Sequence, residues 1–434
     1  MTSWLKRITA TVLAGALLLS AGCSPAAKEE SSAGASGDGP VEIEFWYGLG
    51  SVAGETMEGI IADFNASQDK VKVTGVQQPS YDETFQKVQA ALASKKAPAV
   101  FISDNMQELA QRKIIAPLDD VIDDRTPKDD YLEVFMDPAV VDGKVMAMPA
   151  YGTTQVVYYR KDLLADAGVD PKEMYSSWEK VYETSKQLQE KGVAQYGHLF
   201  MWNQENLIDL ALSAGGKILS EDGKEVLINS PEWVESWDFV RKQIFEDKTM
   251  KIESGGQGWE YWYRTIDNVL NGVATGYTGS SGDKGDLNFD IIDSTEQPGF
   301  KGQDPKPRAE CLYMVVPKIA SEEQKKAAYE WMAYFNSPEV CAKWSQKIGY
   351  IPVRKAALEV PDYKKFLEEN PYAGVPYKQA QHASPAFFDP TGSQIMDALK
   401  KAADKVELEN VPAKEALDAA QKEAQAALDK SKSK

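Results

Sequence analysis

Residues 41–103 switch repeatedly between two apolar periods, and that alternation constrains the fold more than any other stretch. Val41, Ile43, Phe45 and Tyr47 recur every second residue against Glu42 and Glu44, which predicts a strand over 41–47 with one buried face. Over 55–65 the spacing lengthens and places Met57, Ile60, Ile61 and Phe64 on one face of a helix. A strand over 71–76 follows, then a helix over 81–93 with Phe85, Val88, Ala91 and Leu92 as its stripe, then a short buried strand over 99–103. The order β-α-β-α-β is satisfied by an open α/β sheet, in which ligands gather at the carboxyl ends of strands. Those ends carry Tyr47, Ser103, Asp104 and Asn105.

Ahead of this unit, Lys6 and Arg7 precede an uncharged run over 8–19 and then Ser20-Ala21-Gly22-Cys23, the layout of an export signal. The run is too short to span a bilayer permanently. Cys23 directly after Gly22 resembles the bacterial lipoprotein signal, in which that cysteine is lipidated and becomes the mature N-terminus; Ser20 stands where the family most often has Leu. The resemblance implies a signal peptide over 1–22 and a lipidated Cys23. Residues 23–40, rich in Ser, Ala, Gly and charge, then form a flexible tether. The protein is expected outside the cytoplasm, anchored by lipid to the outer face of the cell membrane.

At 434 residues and 43% hydrophobic, the chain is long enough for more than one domain. Losing Lys6 and Arg7 with the signal takes the formal charge from −18 to −20, which argues against nucleic acid as a partner. Cys311 and Cys341 are the remaining cysteines, and both a disulfide and a pair of buried thiols fit their apolar surroundings. His198 and His382 are the only histidines, so a histidine-based triad or metal cluster has little to draw on, and no metal or cofactor is expected. Asp283, Asp286, Asn288 and Asp290 lack the EF-hand spacing and read as a polar loop.

From residue 148 the chain reads as a bend at Pro149 and Gly152, a β-rich run over 153–159 and a helix capped by Asp162, the pattern of a crossing between lobes. A second α/β unit follows. It comprises a helix from Trp178 to about residue 190, a strand over 196–200, a helix over 206–214, a hairpin over 217–228, a helix from Pro231, and strands over 272–279 and 287–292. Residues 301–307 and 349–353 read as further crossings. They flank a strand over 310–316 and helices over 321–335 and 338–347, and a last helix covers 413–430. Trp233, Trp237, Trp259 and Trp262 lie at helical spacing and read as packing.

Three stretches match a known family in order and spacing. They are Tyr158-Tyr159-Arg160-Lys161-Asp162-Leu163-Leu164 with Ala167-Gly168-Val169-Asp170-Pro171 and Trp178; Gly215-Gly216-Lys217 with Asp222-Gly223-Lys224 and Asn229-Ser230-Pro231-Glu232; and Gly349-Tyr350-Ile351-Pro352-Val353. The set resembles the extracellular solute-binding proteins of ABC importers, in the carbohydrate-binding group that includes the maltose and glycerol-3-phosphate receptors. The resemblance covers about residues 42–428. It implies a type II periplasmic-binding-protein-like α/β fold, with two lobes joined by a multi-segment hinge and a ligand cleft between them. The first lobe takes 41–149 plus 307–348, and the second 150–306 plus 349–434. The implied partners are a carbohydrate ligand and the membrane permease subunits, with the receptor a monomer and not an enzyme.

Sugars present hydroxyls on rings with apolar faces, so their sites combine aromatic platforms with planar hydrogen-bonding groups. The family pattern carries over to Tyr47, Tyr81, Ser103, Asp104 and Asn105 on the first lobe. On the crossings and second lobe it carries over to Tyr151, Thr153, Trp202, Gln204, Glu205, Ser280, Ser281 and Tyr350, with Phe387 and Phe388 where maltose receptors hold an aromatic platform. Glycerol-3-phosphate receptors place an Arg in the segment that here reads Ala386-Phe387-Phe388-Asp389-Pro390, which has no basic residue. A buried phosphate without Arg or Lys is costly, so a neutral sugar or oligosaccharide is preferred over glycerol-3-phosphate or a glycerophosphodiester. The alternative of another class is a secreted lipoprotein glycosidase with Asp104 and Glu205 as its carboxylate pair.

Overall fold

The computed structural model describes residues 39–384 and 386–432. The expected signal, Cys23 and the tether up to residue 38 lie outside the described residues. Val41–Tyr47 pairs in parallel with both Val71–Gln77 and Val100–Ser103, and the helices Ser51–Ser67 and Tyr81–Ala93 connect them. Met57, Ile60, Ile61 and Phe64 are all buried against this sheet, each contributing roughly 2 kcal/mol by leaving water. The helix Tyr81–Ala93 starts where the Ser80 hydroxyl accepts the Glu83 N–H, and Ser177 and Ser321 cap two later helices in the same way.

Met148–Arg160 is a single 13-residue strand shared by both halves of the molecule. Its first half pairs antiparallel with Ala309–Val315, and its second half with Ala274–Ser280 and Ile292–Thr295. The resulting eight-stranded sheet runs Val71–Gln77, Val41–Tyr47, Val100–Ser103, Ala309–Val315, the shared strand, Ala274–Ser280 and Tyr196–Phe200, with Ile292–Thr295 paired to the shared strand off this path. One core packs around Phe45, Phe101, Trp331 and Trp344, and a second around Trp178, Trp233, Trp237 and Tyr277. Trp233 and Trp237 are fully buried in the second.

The bend expected at Pro149 and Gly152 is instead continuous strand. Leu312 faces Tyr151 and Tyr313 faces Pro149, so the register shifts within the shared strand and leaves Ala150 without a register partner, beside a proline that has no N–H to give the ladder. Gly152 is demanded by packing: a Cβ there would sit 2.2 Å from the Phe135 ring. Its backbone also exchanges two hydrogen bonds with Ile351, at 2.9 and 2.7 Å, which ties the later crossing to the shared strand.

Other local expectations shift for identifiable reasons. The helix after the shared strand begins at Lys161, and Asp162, expected as its cap, instead pairs with the Arg160 guanidinium at 2.7 Å. The strand expected over 287–292 is Ile292–Thr295, because Asn288 starts a turn: its carbonyl accepts the N–H groups of Ile291 and Ile292. Between Lys217 and Ile228 the hairpin is reduced to one bridge, Leu219 with Val226. The chain after Gly349, expected in the second lobe, places Ile351, Val353, Ala357 and Tyr363 in the first core. Arg354 holds it there through Asp130 and the Asn336 carbonyl. Val375 and Phe387 pack against the second core, and Ile395 is the next residue fully buried in it. Cys311 and Cys341 are free and buried, and burial pushes the Cys341 thiol up to about 12.

Candidate functional site

Strands meeting at the shared strand aim their carboxyl ends at one cleft of about 680 Å³. Gly48 and Gly50 follow Val41–Tyr47, Asp104 and Asn105 follow Val100–Ser103, residues 202–205 follow Tyr196–Phe200, and Gly282 and Asp283 follow Ala274–Ser280. Thr153 and Gln155 of the shared strand line it as well.

Eleven of the fifteen side chains expected at a ligand site line this cleft. Tyr81, Asp104 and Asn105 come from the first lobe, and Thr153, Ser280 and Tyr350 from the junction. Trp202, Gln204, Glu205, Phe387 and Phe388 come from the second. Asn203 presents the 202–205 turn by capping the helix Gln204–Ser213, accepting the Glu205 N–H at 2.8 Å. The Trp202 ring stands edge-on to Tyr261 at 5.1 Å, and its Nε1 donates to Asp404 at 2.8 Å.

The other four do not line it. Tyr47 shares the alternating face of Ile43 and Phe45, so it is wholly buried in the first core. The Ser103 hydroxyl is buried and accepts the Asn105 N–H at 3.0 Å. Ser281 is wholly buried, 3.4 Å from the Thr153 hydroxyl. Tyr151 lies behind the wall. Its ring stacks on Tyr350 at 4.4 Å and its hydroxyl meets that of Tyr81 at 2.9 Å, so it fixes two lining rings without reaching the cleft.

Several lining residues escaped the sequence reading. Trp259, Tyr261 and Tyr263 converge at the start of the helix Glu260–Leu270, and Trp259 reaches across to the first lobe. Its Nε1 donates to the Gly48 carbonyl at 3.1 Å and its ring meets Tyr81 at 5.7 Å. Trp262, read as packing, is indeed buried in the second core while edging the cleft, and donates its Nε1 to the buried Asp283 at 2.8 Å. The available signal was five residues, Trp259 to Tyr263, with four aromatics, directly after three glycines at 255, 256 and 258. Such a run covers more than one helix face, so it cannot all point into a single core.

Arg308 and Glu310 were also missed. Arg308, with its side chain 5% exposed, donates to Asp209 at 3.0 Å and to Glu310 at 2.9 Å, and Asp209 also accepts from Gln297 at 3.0 Å. Burial, with Asp82 and Glu310 nearby, raises the Asp104 carboxyl to about 6. Burial first, then Glu310, raises Glu205 to about 7, even though Gln155 Nε2 donates to it at 2.9 Å. Among the described residues, no three potential metal ligands cluster.

These raised carboxyls make the folded state hold protons that the unfolded chain has released. Their contribution to stability therefore falls as pH climbs from about 4 through 7, and is lowest above that. Replacing Glu205 by Gln removes its share while keeping an acceptor for Gln155. The melting temperature of Glu205→Gln relative to the parent should rise between pH 5 and pH 7.5, by a few degrees; a difference that stays constant with pH would refute the assignment.

Residues 59–370 match the family model for the bacterial extracellular solute-binding proteins. The sn-glycerol-3-phosphate-binding periplasmic protein UgpB of Brucella abortus (strain 2308) is 26% identical over 401 residues, covering 88% of this chain and 87% of the relative. Among solved structures, the GacH receptor of Streptomyces glaucescens superposes with a TM-score of 0.80 at 18% identity, covering 90% of this chain and 99% of that one. UgpB from Mycobacterium tuberculosis in complex with glycerophosphocholine gives 0.78 at 22% identity, covering 91% and 99%. The fold is that of a type II periplasmic binding protein. The chain belongs to the bacterial extracellular solute-binding proteins, which bind a solute for ABC importers.

Proposed function

We propose that the cleft takes a sugar or oligosaccharide and delivers it to an ABC permease, the ligand stabilising closure by touching both lobes at once. The observation that carries this reading is the alternation of ring faces and planar polar groups around the cleft. Trp202, Tyr261, Trp259, Tyr81 and Phe388 supply the faces, and Asp104, Asn105, Gln204 and Glu205 the hydrogen-bonding groups. Phe388 is 39% exposed, so its ring is open to a stacking partner. Phe387, Thr153, Ser280 and Tyr350 complete the proposed contacts, and Tyr151 supports them from behind. GacH was solved with acarbose and Thermotoga maritima MalE3 with maltose, which favours the same class.

The curated relatives favour glycerol-3-phosphate, and the M. tuberculosis protein a glycerophosphodiester. Against a phosphate here stands the state of the cleft's bases. Among the described lining residues these are Arg308 and Lys400; Arg308 is held by Asp209 and Glu310, and Lys400 is 3.2 Å from Asp82. A phosphate would have to strip one of these pairs and then sit among carboxylates. Asp104 and Glu205 share the cleft, but we read them as binding groups and propose no catalysis.

Calorimetric titration with mono- and oligosaccharides, glycerol-3-phosphate and glycerophosphodiesters tests the reading. Binding restricted to the phosphorylated ligands overturns the sugar assignment, and product release from an oligosaccharide overturns the absence of catalysis. Trp202→Ala should weaken sugar binding by roughly 1 to 3 kcal/mol, the scale of a lost aromatic contact; unchanged affinity removes Trp202 from the site. The membrane anchor is proposed through lipidated Cys23. Cys23→Ser should move the protein, as a monomer, from the membrane fraction to the soluble one, and retention in the membrane argues for another attachment.

A further inference from the structure

Resting on the cleft as a carbohydrate site, we infer that its ligand carries a protonated amine, so that an amino sugar is recognised in preference to its neutral counterpart. The first observation is an unmatched charge. Arg308 is the one cation in a group that also holds Asp209, Glu310, Glu205 and Asp104, and Asp209 and Glu310 already pair with it. Glu205 takes Gln155 Nε2 on its carboxylate, and Asp104 takes Asn105 Nδ2 at 2.7 Å together with the backbone N–H groups of residues 104 and 105, all uncharged donors. Neither faces a cation of its own among the described residues.

A second observation is independent of charge. Gln155 is 8% exposed and lines the cleft; its Nε2 is engaged with Glu205, and its Oε1 has no hydrogen-bond partner. Gln204 Oε1, on the residue just before Glu205, is likewise buried without a partner. An unmet buried acceptor costs about 1 to 3 kcal/mol, so these oxygens await donors. Around Glu205 and Asp104 the wall thus holds carboxylate and amide oxygens that no cation of their own among the described residues meets. A sugar hydroxyl brings one hydrogen together with lone pairs that need donors in turn, whereas an ammonium brings three hydrogens and no acceptor. An ammonium therefore meets these oxygens without bringing an acceptor that needs a donor of its own.

The aromatic walls act in the same direction. The faces of Trp202, Trp259 and Tyr261 are electron-rich and attract a cation in a site sheltered from water. Burial leaves Glu205 and Asp104 partly protonated in the free protein near neutrality. Glu310, Asp209 and Asp104 face Glu205 with Arg308 opposing them, and Asp82 and Glu310 face Asp104. A bound ammonium stabilises both carboxylates as anions and expels their protons, so its affinity should climb with pH until they ionise unaided.

The test is calorimetric titration of the full chain with matched pairs: 6-amino-6-deoxyglucose against glucose, and the glucosamine trimer against its fully N-acetylated form. At pH 7.5 the amine member of at least one pair is expected to bind about tenfold tighter or better, one decade being the smallest gap that outweighs scatter between related ligands. For 6-amino-6-deoxyglucose, whose amine stays protonated throughout, affinity should fall between pH 7.5 and pH 5.5. Glu205→Gln and Asp104→Asn should each shrink the preference, with a cooperative melting transition showing that the variants fold; the comparison of pairs on the parent protein stands even where they do not. Equal or tighter binding of the neutral member in every pair overturns the inference and leaves the carbohydrate reading standing. Absence of binding by every sugar, or binding of glycerol-3-phosphate alone, overturns the carbohydrate reading and the inference with it.

Discussion

Replacing Arg308 by Leu is expected to lower the unfolding free energy by about 3 to 5 kcal/mol, the cost of stranding one partner of a buried ion pair. The partner is Asp209, whose side chain is wholly inaccessible and takes the Arg308 Nε at 3.0 Å. Gln297 Nε2 and the residue 308 N–H would still reach it, at 3.0 and 3.1 Å, but neither supplies a charge. Urea denaturation measures the loss. Adding Asp209→Leu to Arg308→Leu should recover more than half of it, since the uncompensated charge is then gone. A single variant within about 1 kcal/mol of the parent, the range of exposed pairs, would mean that water reaches this site. The ion pair also joins the start of Ala309–Val315 to the helix Gln204–Ser213, so its loss loosens the cleft wall that carries Glu205.

Gly152→Val should cost about 3 kcal/mol, at the upper end of overpacking penalties, because what it strikes cannot move aside. Phe135 is wholly buried, its ring would lie 2.2 Å from the new Cβ, and its carbonyl accepts the Tyr313 hydroxyl at 2.9 Å. Combining Gly152→Val with Phe135→Leu should return part of the loss by vacating the ring. Thermal unfolding of the two variants decides this, and equal stability of parent and Gly152→Val would show that the strand shifts freely. Gly152 sits midway along the one strand common to both lobes, so a shift there also alters how the lobes meet. Ligand affinity of Gly152→Val should fall together with its stability.

Much of the first half was legible because local physics and tertiary demand coincide there. Val41–Tyr47 alternates and is a strand, and Tyr81–Ala93 has both its stripe and its Ser80 cap. Where local signals pointed one way and packing another, packing decided. Pro149 and Gly152 are turn residues by habit, yet here proline lies beside a register shift within its own strand and glycine makes room for Phe135. Leu287, Phe289 and Ile291 alternate like a strand, but Asn288 closes a turn among them. Tyr47 ends its strand where ligand-binding residues gather, and the same alternation that made the strand visible turned its ring into the core.

By itself the sequence determined which residues end the strands and which stripes are buried, because period and capping are properties of neighbours along the chain. From these came the α/β order and Asp104 and Asn105 at the end of a strand; Trp202 and Glu205 came from the resemblance to the family, and all four line one cleft. Only the tertiary structure decided which buried aromatics are core and which are wall, since hydrophobic period reports burial but not whether its far side is protein or ligand. Trp237 and Trp259 look alike in sequence, yet one donates its Nε1 to the Leu207 carbonyl inside a lobe and the other to Gly48 across the cleft. The acceptor-rich floor was equally hidden: Arg308 meets Asp209 from 99 residues away, and Gln155 meets Glu205 from 50. Pairings at such separations are set by how the sheet closes on its shared strand, and no local pattern carries them.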